Sequence, residues 1–398
     1  MEAFMRRENT LFIILVLIST LGQVASDLYL PSLPAIAKNL DANFHAVKLT
    51  LSMYMIGFAI SPLIYGPLSD GIGRHKPLIL GLCLCLLGSV ICLSAQSIQI
   101  LIAGRLLQGI GAGAGSSLFR PILRDIFSGE KLAKYGSYSA LVSVGALAFA
   151  PLLGGYLQHY IGWRANFIFL SGLTLLALLS VMFYIPETNK FLHPENLTLK
   201  KIKINLYTLL SSPIFMSYSF LNFLSYGAIL AWLTSGPILL QHVVGLSPIS
   251  FGWAYTLTGI TFAMGAFINS QYVSRFGINT MLQFGILCVL VAGLSMLGLK
   301  LMGFINTIVI VGPAMLLLFG APLIFNNAFA GAFQPFPHIA GIAGALFGTL
   351  TILGGAFTSS LLAIFQDKNQ IPMALVIIAC ALLAFSIYYF VIKRKSYD

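Results

Sequence analysis

Two ionisable residues sit well inside long apolar runs of this chain: Asp27 in "SDLYLPSLP" and Arg105 in "LIAGRLLQGIGAGAG". A charge held in hydrocarbon costs several kcal/mol, so such a residue marks a functional site and calls for a partner. The chemistry the two offer is proton exchange. A carboxyl's proton occupancy depends on a nearby cation and on access to water. A movement that separates Asp27 from Arg105, or that hydrates it, therefore loads or unloads a proton. Arg105 itself stays charged and acts as the counter-charge. The same residues also suit a static ion pair pinning the first apolar run to the fourth. Each lies six positions from the expected end of its run, near Leu33 and Gln99, which places both about 9 Å below the same surface at about 1.5 Å per residue. No other carboxylate competes, because beyond residue 209 the only acids are Asp367 and Asp398.

A second group of charges lies at the ends of apolar runs: Asp70, Arg74 and Lys76 in "GPLSDGIGRHKP", and Arg120, Arg124 and Asp125 further on. Gly66, Gly71 and Gly73 suit a tight turn between two helices. Asp70 is placed to cap a helix N-terminus in the other half, where partial positive charge favours a carboxylate. The plainer reading is that these charges only set topology. In "ALAFAPLLGGYL", small residues let helices approach closely and Pro151 bends the helix; Gly154 and Gly155 follow it. Mid-run polar and aromatic residues, Gln23, Tyr54, Asn222, Tyr226, Trp232, Tyr255, Asn326 and Asn327, would give an apolar pocket a few hydrogen-bonding groups. With so few acids, neutral, zwitterionic or anionic compounds are expected there rather than polyvalent cations. His45, His159, His193, His242 and His338 fall in or near loops without metal-ligand spacing, and no HExxH pattern is present. Neither an enzyme, a metal site nor a cofactor is expected.

The elements that must position these residues follow from composition. The chain has 398 residues, of which 58% are hydrophobic and 8% charged, with a mean hydropathy of +0.92. Soluble domains carry about 25% charged residues, so this is an all-α membrane protein. About 20 apolar residues make a spanning helix. Twelve such segments are expected, near 10–33, 46–66, 77–95, 99–119, 135–157, 165–185, 209–235, 250–274, 279–299, 304–328, 339–362 and 371–392. They are continuously apolar rather than alternating, which excludes a β-barrel. The first follows a short basic N-terminus like a signal peptide but is too long and lacks a cleavage site, so it reads as a permanent helix.

The net charge of +11 invites a nucleic-acid reading, but its placement argues otherwise. With the N-terminus in the cytoplasm, Lys38, Lys48, Arg164, Lys300 and Lys368 fall outside, Arg105 falls within the membrane, and the other sixteen of the 22 basic residues fall inside. That bias puts both termini in the cytoplasm. Cys83, Cys85, Cys92, Cys288 and Cys380 all fall within helices as small packing residues. One polar stretch, 186–208, divides a six-helix bundle over 1–185 from another over 209–398, as in a two-half transporter. The loop "NSQYVSRFGINT" echoes the Asp70 loop, keeping Arg275 and Gly277.

Several of these stretches together resemble the major facilitator superfamily. Gly66, Asp70, Gly73 and Arg74 match its loop pattern. Arg105, Gln108, Gly109 and Gly111 match its arginine motif, and Pro151, Gly154 and Gly155 its antiporter signature. "DLYLPSLPAIAKNL", "SSLFRPILRDIFSGE" and "IGWRANFIF" resemble the Bcr/CflA drug-resistance branch. Gly71, His75 and Ala150 depart from the usual pattern. The resemblance implies the twelve-helix major facilitator fold. It also implies a proton-coupled exporter of drug-like molecules in the inner membrane, acting as a monomer on a small-molecule substrate and protons. A dedicated exporter of a native product such as a siderophore would carry the same motifs. It further implies that an Arg74–Asp125 pair holds the cytoplasmic gate.

Overall fold

Backbone inside hydrocarbon must satisfy its own hydrogen bonds, and this chain does so with helices. A computed structural model describes residues 2–189, 199–336, 339–365 and 368–393. His193, His338, Asp367, Asp398 and the 190–198 part of the expected linker lie outside the described residues.

The first half comprises α1 (Glu2–Asp27), α2 (Leu33–Asn39), α3 (Phe44–Ile72), α4 (His75–Ser94), α5 (Ile98–Ile126), α6 (Gly129–Tyr160) and α7 (Arg164–Tyr184). A short helix, α8 (Leu199–Leu210), leads to the second half: α9 (Pro213–Ile238), α10 (Pro248–Leu301), α11 (Thr307–Phe333), α12 (Ala340–Ala363) and α13 (Ile371–Ile387). Ten helical segments are long and apolar enough to cross a membrane. One of them, α10, runs 54 residues and is two spans meeting at Gly277, whose φ is 78°. The Gly-rich α5, which carries Arg105 near its start, completes twelve.

The first span, Thr10–Asn39, holds Asp27 within it as expected, but its regular α-helical stretch ends at Asp27, the last residue of α1. Pro31 cannot donate a backbone hydrogen bond, so the chain tightens into a 3₁₀ turn at Leu30–Ser32 before α2 resumes.

α5 is the hub of the first half, packed on α1, α3 and α4. Its glycines set the spacing: an added methyl at Gly109, Gly111 or Gly115 would overlap backbone of Tyr54, Cys85 or Ile18 respectively. Between the halves, α3 packs on α12 and α6 on α10.

Arg74 and Asp27 mark opposite ends of the bundle. At the Asp27 end the halves are joined by hydrogen bonds from Lys48 Nζ to the carbonyls of Leu362 (2.8 Å) and Phe365 (3.1 Å). His45 Nδ1 lies 2.7 Å from the Ala363 carbonyl, and Ser52 Oγ donates to Ser359 Oγ at 2.9 Å. Lys48, expected as an outer-loop charge, is therefore fully buried at the seam. Hydropathy had placed it by depth alone. At the Arg74 end Arg120 lies 5.9 Å over the ring of Phe329.

Candidate functional site

Arg105 is fully buried and Asp27 is 1% exposed, yet among the described residues no ion pair joins them within 4.0 Å. The direct pair expected from equal depth is corrected by the geometry. Arg105 Nη1 donates to the Ala25 carbonyl (2.9 Å) and to Gln108 Oε1, whose amide donates to Ser89 Oγ at 2.8 Å. Its guanidinium is sandwiched between the rings of Tyr29 and Tyr54, 4.1 Å from each centroid. Those rings are held in turn: Tyr29 Oη meets Thr50 Oγ1 at 3.2 Å, and Tyr54 Oη donates to the Gly22 carbonyl. Carbonyls in the last turn of a helix lack intrahelical donors. Arg105 therefore caps the C-terminus of α1, where a cation is electrostatically favoured. Two cation–π contacts spread the rest of its charge.

Asp27 is held more loosely. Its Oδ1 accepts from Ser26 Oγ, and its Oδ2 has no partner among the described residues. It remains within electrostatic range of Arg105, and it acts on Tyr54 and on two residues of the second half, Tyr226 and Tyr255. The carboxyl thus lies near residues of both halves, whereas the groups bonded to or stacked on Arg105 all belong to the first half.

The other expected pocket residues divide around this point. Tyr255 stacks with Trp232 at 6.4 Å, and the indole N–H of Trp232 is buried without an acceptor among the described residues. Asn222 donates to Thr351 Oγ1 at 2.8 Å. Gln23 is half-buried. Asn326 is exposed, whereas the adjacent Asn327 turns inward to donate to Asn269 Oδ1 at 2.6 Å. One residue along a helix rotates a side chain by about 100°, and Asn327 takes the place against α10.

The glycines of α6 serve two directions. An added methyl at Gly154 would overlap the Leu28 carbonyl, directly after Asp27, and one at Gly155 would overlap the Pro248 carbonyl at the start of α10. Pro151 and Leu152 lie against Gly252 in the same seam. The antiporter-like signature thus packs α6 onto the chain beside Asp27 and across to the other half at once.

At the opposite end, Arg74 is 7% exposed and pairs with Asp125 (3.3 Å), with Asp70, and with Ser69 Oγ (2.6 Å). The expected Arg74–Asp125 contact is present. Asp70, expected to cap a helix of the other half, instead pairs with Arg74 one turn on. Arg124 is exposed and makes no ion pair among the described residues. Gly66 has open space around it.

The carboxylate that does cap a helix is Glu187, in the stretch following α7. It accepts from the backbone N–H groups of Arg74 (2.9 Å), His75 (3.1 Å) and Asn189 (2.8 Å), closing the N-terminus of α4. Partial burial pushes its carboxyl up, but the N–H groups of Arg74, Asn189, His75 and Thr188 outweigh this and hold it below the usual range. Gly73 makes room, since a side chain there would overlap the Glu187 carboxylate. In the sequence Glu187 is one acid in a polar linker; its place directly after a helix was the available signal.

A model of the Major Facilitator Superfamily matches residues 15–359. The chain is 31% identical to a bicyclomycin resistance protein homolog of Haemophilus influenzae, the match covering 98% of each chain. It is 30% identical to multidrug resistance protein D of Escherichia coli, over 95% of this chain and 94% of that one. Among solved structures it resembles a D-xylose–proton symporter, with a TM-score of 0.75 at 15% identity, covering 95% of this chain and 97% of the other. A fold of two six-helix halves, the loop, arginine and antiporter-like motifs in their expected places, and these matches converge: the chain is a multi-pass membrane protein of the major facilitator superfamily, in its Bcr/CflA drug-resistance family.

Proposed function

We propose that this transporter exports drug-like small organic molecules from the cytoplasm across the inner membrane in exchange for protons, acting as a monomer. The observation that carries the reading is Asp27: a buried carboxyl near residues of both halves, with one oxygen unpartnered among the described residues. The relatives' names, bicyclomycin resistance and multidrug resistance, support the substrate class. The bias of basic residues supports a cytoplasmic location for the Arg74 end and both termini.

In this reading the halves 1–185 and 209–398, joined by 186–208, rock about a central path. Asp27 meets water from one side and then from the other. It takes up a proton at Oδ when the Asp27 end is open and gives it up toward the cytoplasm. Arg105, fixed to α1 and never discharged, supplies the positive field against which the bare carboxylate waits. Tyr54, Tyr226, Trp232 and Tyr255, with Gln23 and Asn222, offer substrates aromatic surface and a few hydrogen bonds. The Arg74–Asp125–Asp70 network and Glu187 hold the cytoplasmic turn.

Proteoliposomes with an imposed pH gradient test this directly, using bicyclomycin-like compounds, chloramphenicol-like compounds and siderophores. Movement of a drug-like compound against the proton flux is the expected result. Siderophore movement alone would make the chain a dedicated metabolite exporter. Movement of substrate with the protons would overturn export.

A further inference from the structure

Among the described residues two buried cations cap helix C-termini, and they differ in what they join. Arg105 on α5 caps α1 within the first half. Lys48 on α3 caps α12 of the other half, with Nζ bonded to the carbonyls of Leu362 and Phe365. From this contrast we propose that Lys48 is a positioning residue of the transport cycle: the latch of the gate at the Asp27 end, whose release from α12 each opening requires. The proposal rests on the alternating-access reading above.

The chemistry suits a latch that must both hold and let go. The final carbonyls of α12, which ends at Ala363, lack intrahelical donors and carry the negative end of the helix dipole. Lys48 neutralises that end, His45 meets the Ala363 carbonyl, and one turn deeper Ser52 bonds Ser359. Thr234 of α9 also donates to Ser359, at 2.9 Å, tying the α12 side of the seam into its own half. Beside the latch lies a recess of about 650 Å³ lined by Phe44, His45, His242, Ala363, Phe365 and Lys368. When the halves part, water reaching Lys48 by this route replaces the carbonyls. A lysine suits that exchange, being strongly hydrated on a flexible stem. An arginine stacked between two rings, like Arg105, is built to stay.

Among the described residues the second inter-half seam at this end holds no such charge. There α6 and α10 meet through Gly155 against Pro248 and through Thr256 Oγ1 donating to the Ala148 carbonyl at 2.9 Å. Close neutral contacts of this kind can pivot, whereas the α3–α12 seam must break charged hydrogen bonds.

The test uses protein in nanodiscs with its five cysteines removed and one reporter introduced, Ala363→Cys, which keeps the carbonyl that His45 meets. Labelling by a water-soluble maleimide reads opening of this end without any substrate, so its failure is distinct from failure of the export reading. Lys48→Gln should label about tenfold faster than the parent or more, Lys48→Arg at the parental rate, and Ser52→Ala about threefold faster. A parental labelling rate in Lys48→Gln would overturn the latch. So would acceleration in Lys48→Arg equal to that in Lys48→Gln with a matching fall in melting temperature, which would mark a packing role. Should Lys48→Gln fail to fold, the Ser52→Ala and Lys48→Arg rates decide in the same way.

Discussion

The two halves make the same turn with different chemistry around it. Gly73 joins α3 to α4 with φ 94° and ψ 165°, and Gly277 joins the two spans of α10 with φ 78° and ψ 160°. Only glycine visits this backbone region without strain. Aligning the two glycines sets Ser274 opposite Asp70 and Ile278 opposite Arg74. Arg74 is held by Asp70, Asp125 and Ser69, with Glu187 closing the helix behind it. In the other turn Arg275 lies 5.4 Å over Phe276 and makes no ion pair among the described residues. The glycine belongs to the fold, which needs it twice. The charges belong to one end of the first half alone, as the proposed gate requires.

Breaking each turn separates the two requirements. Gly73→Ala meets both strain, at about 1–3 kcal/mol, and overlap with the Glu187 carboxylate. Export should fall below detection in this variant, with a lowered melting temperature. Gly277→Ala has open space around it and should show the strain alone: a similar loss of stability, with export per folded molecule close to the parent. Equal export in the two would erase the contrast.

A middling effect is expected at Arg74. Arg74→Ala leaves Asp70 and Asp125 without their cation, at about 1–3 kcal/mol, and export should drop about tenfold while substrate binding is kept. Arg275→Ala should change stability by less than about 0.5 kcal/mol and leave export unchanged. Export assays beside substrate-binding titrations separate these outcomes.

Glu187→Gln should have the smallest effect, and its pH dependence sharpens the comparison. The folded-state pKa of Glu187 is depressed by the N–H groups it accepts from. Its contribution is therefore complete above the unfolded value of about 4.3 and fades as pH falls through the lower folded value. Thermal melting at neutral pH should show the variant slightly less stable, and the gap should close in acid. A gap that widens in acid would contradict the capping geometry.

Much of this was legible in the sequence, because hydropathy fixes where a chain crosses a membrane and glycine marks where it turns. What stayed hidden depends on rotation about the helix axis and on partners distant in sequence. Depth alone brought Asp27 level with Arg105, but Tyr29 and Tyr54 occupy the faces of the guanidinium, and aromatic residues in an apolar run look like packing. Lys48 looked like a loop charge because its acceptors are backbone carbonyls, which carry no sequence signature. Asn326 and Asn327 are indistinguishable until the helix is turned. A helix N-terminus did attract a carboxylate, as electrostatics requires, but Glu187 supplied it because Asp70 had a cation one turn away.

The claim on which the rest depends is that Asp27 carries the proton. The most direct measurement compares the parent with Asp27→Asn in proteoliposomes, recording substrate accumulation under a pH gradient and substrate exchange without one. The account predicts that Asp27→Asn abolishes gradient-driven accumulation and retains exchange, since the aromatic path is intact. Accumulation at the parental level in Asp27→Asn would contradict it.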